Sequence, residues 1–166
     1  MIARLRVTPL GAAHDRGAFH SRSEPLNRYL REQASQDVRR RLSTCLVAVD
    51  AAGGLVGDYT LSARSVPLDK LDARARRKLP NYEAIPVILG RLAIDERFVG
   101  KGYGAALLAD AIQRALRTDL AAYAMFTQAK DEQAARFYRH HGFVESPDDP
   151  LQLRLALATA ASLIGP

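Results

Sequence analysis

Cysteine is nearly absent: Cys45 stands alone in 166 residues. A lone thiol closes no internal disulfide, and four histidines without a second thiol give no zinc framework, so no metal is expected. The expected compartment is a reducing cytosol. Long apolar runs are missing as well. None approaches the ~20 residues needed to cross a bilayer, which excludes a membrane-spanning protein. The opening Met1-Ile2-Ala3-Arg4-Leu5-Arg6-Val7 alternates charge with apolar residues and lacks the continuous block of a secretory signal. Repeats, low-complexity tracts and linkers are absent too, and the length suits one core. A single domain over residues 1–166 is therefore expected.

Lysine is the next scarcity. All but four of the 24 cations are arginine, the exceptions being Lys70, Lys78, Lys101 and Lys130. Against 18 carboxylates this leaves a net charge of +6. Arginine favours planar, bidentate contact with phosphate and stacking on bases. A phosphorylated cofactor, an RNA or an acidic protein would suit such a chain, as would a plainly solvated basic surface. Hydrophobic residues at 48% and charged residues at 25% give the balance of a globular protein rather than a disordered one.

Ile2, Leu5 and Val7 predict a first strand closed by Pro9. From Glu24 to Leu42, Leu26, Tyr29, Leu30, Ala34 and Val38 fall at helical spacing, with Arg28, Arg31, Arg39, Arg40 and Arg41 on the outer face. Two strands, Ser43 to Val49 and Leu55 to Ala63, are joined by the hairpin-type Ala51-Ala52-Gly53-Gly54. A short helix is expected around Leu71 to Leu79, and the apolar run Ala84 to Ile94 reads as a buried strand. An amphipathic helix follows over Gly102 to Leu116, then a strand over Ala121 to Ala129. A helix from Glu132 to His140 ends before Gly142, and a last strand covers Leu151 to Leu157. The tail Ala158 to Pro166 reads as a frayed helical turn. Strands dominate the first half and strand–helix units the second. The class is α/β (α+β), a mixed central sheet of about six strands flanked by helices.

The sharpest local feature is Val99-Gly100-Lys101-Gly102-Tyr103-Gly104-Ala105, between the apolar strand and the long helix. Glycines at alternate positions let the backbone turn tightly and bring its N–H groups close to a ligand. The helix starting there points its unsatisfied amides and positive dipole end into the same space. Such an anion cradle suits a pyrophosphate, with Arg97 and Lys101 flanking it. A dinucleotide fold would carry this loop after its first strand, with an acidic residue about 20 residues on; here the loop lies two-thirds along the chain. A P-loop would need Lys-Ser or Lys-Thr after the last glycine, and neither is present.

Two motifs together resemble the GNAT N-acetyltransferases. Their acyl-CoA loop reads Gln/Arg-x-x-Gly-x-Gly/Ala after the fourth strand, and the next strand–helix unit ends in Tyr followed by Gly-Phe. This sequence offers Gly102-Tyr103-Gly104 and Phe137-Tyr138-Arg139-His140-His141-Gly142-Phe143. Aligned on Gly102, the Gln/Arg position falls on Val99. Further segments resemble the GNAT toxins of bacterial toxin–antitoxin pairs, which acetylate the amine of aminoacyl-tRNA and are silenced by a ribbon-helix-helix antitoxin. They are Phe19 to Leu30, Tyr59-Thr60-Leu61-Ser62, the stretch Ile85 to Asp95 and Ala134 to Tyr138. The usual Cys-Gly after the Phe is replaced by Ser21-Arg22.

The resemblance implies acetyl-CoA as cofactor and a splayed central strand pair that holds it. Cofactor contacts then fall to Leu92, Ala93 and Ile94, to the cradle Val99, Gly100, Lys101, Gly102, Tyr103, Gly104 and Ala105, and to Asp131, where many relatives carry Asn near the pantetheine arm. Tyr138 is the candidate general acid, because a phenol with an ordinary pKa near 10 is protonated at neutral pH and can donate to the leaving sulfur. A core tyrosine is the alternative, and Phe137 beside it reads as core. Asp95 and Glu96 would act as bases through water or stand as solvated loop carboxylates. His140 and His141 read as cations steadying a helix C-terminus, and Cys45 as a buried structural thiol. Arg39, Arg40, Arg41, Arg64 and Arg91, with Arg74, Arg76, Arg77 and Lys78, would meet an aminoacyl-tRNA or an antitoxin, or simply face solvent; Tyr29, Tyr59 and Tyr82 would stack on a base or pack in the core or at its rim. A homodimer fits this reading, as does a small-molecule or protein amine as acceptor, or a non-catalytic binding relative.

Overall fold

The computed structural model describes residues 5–63 and 86–164. Two compact units interleave along the chain, Met1–Ser62 with Gly90–Ala111 and Ala63–Leu89 with Ile112–Pro166. The expected helix around Leu71 to Leu79, the start of the strand at Ala84, and Arg64, Arg74, Arg76, Arg77, Lys78 and Tyr82 lie outside the described residues.

The first unit holds β1 (Arg6–Pro9), α1 (Glu24–Glu32), α2 (Ala34–Arg39), β2 (Thr44–Val49) and β3 (Leu55–Ala63). It also takes the second half of β4 (Val87–Ile94) and the start of α3 (Tyr103–Arg117). β1 pairs antiparallel with β2 and β2 antiparallel with β3, with a register shift between Ala48 and Val49. Asp50 sets the hairpin: its Oδ1 accepts from the Ala52 and Gly54 amides at 3.0 and 2.9 Å. Gly53 takes the left-handed conformation the turn demands, φ 86°.

The helix expected over Glu24 to Leu42 is two helices, and Arg16 supplies the reason. Its Nη1 donates to the Leu30 carbonyl at 3.2 Å and to Ser35 Oγ at 2.7 Å. That carbonyl is the acceptor a continuous helix would offer the Ala34 amide. The backbone breaks at Gln33 (φ −121°), and Ala34 starts α2 fully buried. α1 opens conventionally, with Ser23 as its cap and Pro25 in its first turn.

One core of this unit gathers Phe19, Tyr29, Leu30, Cys45, Val47, Val49 and Ala93 between α1 and the sheet. Gly57 serves close packing: a Cβ there would lie 2.8 Å from the Ala93 carbonyl oxygen and from the Leu107 side chain. Its neighbour Asp58 pairs in register with Val47, is 1% exposed, and its Oδ1 has no hydrogen-bond partner. Burial pushes the Asp58 carboxyl well above the usual range. Cys45 is pushed up to about 12, first by burial and then by Asp58, so it is the inert buried thiol expected.

The second unit takes the first half of β4, β5 (Ala124–Gln128), α4 (Glu132–His140), β6 (Val144–Glu145), β7 (Gln152–Ala156) and α5 (Leu157–Ile164). β4 runs parallel to β5, with Leu89 opposite Thr127; β5 and β6 both pair antiparallel with β7. The sheet is mixed, as expected. Among the described residues the strands number seven rather than six, because the two residues of β6 are too few to show a period. The tail expected as a frayed turn is the eight-residue α5, whose Leu157 and Ala160 are buried.

Asp58 yields a test. A carboxyl whose folded pKa is raised binds its proton more tightly in the native state than in the unfolded chain. Stability is greatest below the ordinary value near 4 and falls as pH rises above it. Thermal unfolding followed from pH 4 to pH 8 should show the Tm of Asp58→Asn gaining steadily on the wild type, by roughly 2–4 °C for each kcal/mol. Parallel Tm curves would contradict a buried carboxyl with an unpartnered oxygen.

Candidate active site

Directly after β4 stands Asp95, which is 1% exposed and fully engaged. Its Oδ1 accepts from the Arg97 amide at 3.0 Å and from Arg97 Nε at 2.8 Å; its Oδ2 accepts from the His20 amide at 3.0 Å. Burial pushes this carboxyl up, but the Arg97 guanidinium and the two amides outweigh it and hold the group below the usual range. Asp95 is therefore neither a solvated loop carboxylate nor a base acting through water. Both its oxygens are spent on anchoring Arg97 and the segment before α1. Glu96 is exposed, as expected.

The glycine segment follows a single turn over Glu96–Phe98. Gly100 and Gly102 carry φ values of 80° and 85°, whereas Gly104 lies inside α3. These are the two turn glycines, so the family pattern is met by Arg97-Phe98-Val99-Gly100-Lys101-Gly102 with its arginine in place. The alignment that put Val99 at the Gln/Arg position is displaced by two residues, because it matched the helical Gly104 instead of Gly100.

Ala106 is the first α3 amide to reach a helical acceptor, the Gly102 carbonyl at 3.1 Å. Helix geometry leaves the amides of Tyr103, Gly104 and Ala105 without one. Val99, Gly100, Lys101 and Gly102 are exposed, and a Cβ on Gly100 would meet nothing within 4 Å. Tyr103 is buried, edge-on to Phe98 at 5.7 Å, which fixes the helix start. Open space, free amides and positive φ fit a diphosphate. Leu92, Ala93 and Ile94 follow Arg91, a non-glycine residue at φ 53° within β4.

In the second unit Tyr138 lies on α4, 6% exposed, with Phe137 and Phe143 at ring distances of 5.2 and 5.3 Å. Its hydroxyl bonds to Thr127, whose Oγ1 donates to the Leu89 carbonyl at 2.9 Å. Burial raises the phenol above its usual range, with the Thr127 bond acting in the opposite sense. A proton is thus on Tyr138 throughout the neutral range, as an acid requires. Asp131 caps α4, accepting from the Ala134 amide at 2.8 Å.

Two side-chain expectations near α4 need correction. Phe137 is only half-buried, edge-on to His141 at 4.8 Å. Burial first, and the neighbouring His140 second, lower the His141 pKa, so this imidazole is neutral at pH 7 and is no capping cation. Arg139 carries the charge there, paired with Glu132 and Glu145.

Arg39, Arg40 and Arg41 are exposed at the end of α2. Arg91 is exposed too and stacks on Tyr29, Cζ 3.9 Å from the ring centroid; Tyr59 is core, bonded to Asp110. The sequence gives no warning of Asp58, an unremarkable strand residue by pattern, nor of Thr127. A buried bond to a tyrosine has no local signature. Among the described residues no helix is long and apolar enough to cross a membrane.

The model of a family described as an acetyltransferase (GNAT) domain matches residues 41–145. A tRNA-acetylating toxin of Mycobacterium tuberculosis is 37% identical over 156 residues, covering 92% of this chain and 92% of the toxin. The structure of AtaT complexed with acetyl-methionyl-tRNAfMet is similar at a TM-score of 0.86 and 25% identity, over 98% of this chain and 100% of that one. The AtaTR structure bound with AcCoA is similar at a TM-score of 0.81 and 25% identity, over 97% and 98% of the two chains. The chain belongs to the GNAT acetyltransferases.

The cradle makes a direct prediction. Gly102→Val introduces a branched side chain at φ 85° where the backbone must approach a diphosphate. Calorimetric titration should show CoA affinity reduced at least 100-fold, on the order of 3 kcal/mol. Unchanged affinity in a folded variant would remove the assignment.

Proposed function

We propose that this acetyltransferase moves the acetyl group of acetyl-CoA to the aminoacyl amine of a charged tRNA. The observation that carries the reading is the 37% identity to a tRNA-acetylating toxin, which spans the turn glycines, Tyr138 and the arginine-rich face alike. Bound acetyl-CoA supplies an activated thioester carbonyl. Gly100 and Gly102 open the backbone to the diphosphate, and the amides of Tyr103, Gly104 and Ala105 take its charge. Val99, Lys101 and Asp131 flank the cofactor, and Leu92, Ala93 and Ile94 offer backbone amides to the pantetheine arm and the acetyl oxygen. An amide held against that oxygen steadies the charge that develops as the amine attacks. Tyr138 Oη gives its proton to the sulfur as the C–S bond breaks, and the proton shed by the newly acylated nitrogen passes to water, which reprotonates the phenol.

The acceptor end of the reading rests on charge. Arg39, Arg40 and Arg41 are exposed, with no carboxylate partner among the described residues. In this reading they meet tRNA phosphates, a role the sequence also offers to Arg64. The same reading includes a ribbon-helix-helix antitoxin that silences the enzyme, a homodimer, and a cytoplasmic location, where charged tRNA is found.

Three measurements test it. Tyr138→Phe should lower kcat by about 10²–10⁴-fold while CoA affinity stays within about twofold, since the proton is needed only in the transition state. Expression of the wild type should stop growth, and expression of this variant should not. Binding of charged tRNA should weaken with salt by a log–log slope of about −0.7 to −0.9 for each phosphate contacted, and charge reversal at Arg39, Arg40 and Arg41 should flatten it. A salt-independent acceptor affinity, with no acetyl transfer to charged tRNA, would point to a small amine in a closed pocket instead.

A further inference from the structure

We propose that Arg91, stacked on Tyr29, is the contact for a phosphodiester in the single-stranded end of the acceptor RNA; this rests on the tRNA reading above. Arg91 sits in β4 at φ 53°, a conformation that is unfavourable for any residue with a Cβ. Glycine would adopt it freely, and a glycine is next door. Gly90, however, is committed elsewhere: its carbonyl accepts from Thr60 Oγ1 at 3.0 Å, and a Cβ on it would lie 2.8 Å from that oxygen. The arginine therefore carries the left-handed turn. Strain of this kind persists where the surroundings impose it, and it re-aims the side chain.

The side chain is aimed at a prepared platform. Tyr29 is buried, and its hydroxyl donates to Asp37 Oδ2 at 2.8 Å with Ser43 Oγ at 3.4 Å, so the ring cannot swing. Over it lies the guanidinium, Cζ 3.9 Å from the centroid. Arg91 is exposed and has no carboxylate partner among the described residues. Among the described residues the other non-glycine with positive φ, Arg41 at 57°, lies between Asp37 and Ser43 in the chain, the two residues that fix the Tyr29 hydroxyl. A guanidinium stacked on one face keeps its donor fork free for bidentate contact with phosphate, and its other face suits an unpaired base.

Fluorescence anisotropy with unacylated tRNA across a salt series tests the contact, using Arg91→Gly and Arg91→Lys. Glycine relieves the backbone, so Arg91→Gly should fold and bind CoA like the wild type. It should lose about 10–100-fold in tRNA affinity, the range of a charge-assisted bond, and reduce the salt slope by about 0.7–0.9. With charged tRNA its KM should rise at unchanged kcat. Arg91→Lys should restore the slope without the full affinity, because an ammonium lacks the fork. Wild-type affinity and slope in both variants, while the wild type still acetylates charged tRNA, would end this inference and leave the tRNA reading standing. That is also the result expected if an acidic protein segment were the true occupant. No transfer to charged tRNA by the wild type would bring down both.

Discussion

The Asp95 carboxylate is the knot on which the first unit depends. It ties three stretches that would otherwise be independent: the end of β4, the segment before α1 through the His20 amide, and the turn into the glycines through Arg97. A charge this deeply buried is tolerated only when paired and hydrogen-bonded, and Asp95 is both. Because its partners sit at the entrance to the cradle, the same contacts that satisfy the charge also set the direction in which Gly100 and Gly102 leave the sheet. Asn27 adds a second tie nearby, accepting from the Ser21 amide at 2.8 Å and donating to the Ser21 carbonyl at 3.1 Å.

Three other titratable groups, Asp58, Cys45 and Tyr138, are buried and pushed the opposite way, toward their neutral forms. The environment separates the two aspartates completely: one has donors on both oxygens, the other has none on Oδ1. For Tyr138 the dry setting keeps a proton on the phenol throughout the neutral range.

How much of this was legible depends on the range of the interactions concerned. α4 was readable to the residue, because its cap, its periodicity and its stop are all local: Asp131, the apolar positions, Gly142. The cradle was readable because glycines mark unusual backbone, although choosing which glycines turn required the φ values of Gly100 and Gly102. The division of α1 from α2 was not, since it is made by Arg16, fourteen residues before the carbonyl it captures. Asp95 was visible as a residue but not as an anchor, because its partner His20 lies 75 positions away. The left-handed Arg91 has no signal at all in a strand that reads as continuous.

The preference for arginine over lysine has a chemical consequence of its own. A lysine amine is the kind of nucleophile that a thioester acetylates, and once acetylated it carries no charge. A guanidinium remains protonated at any physiological pH and offers no free amine. A face built on Arg39, Arg40 and Arg41 therefore keeps its charge however long the protein sits in its own pool of acyl donor. Lys101, on the exposed glycine turn, is the one residue of the cradle that lacks this immunity.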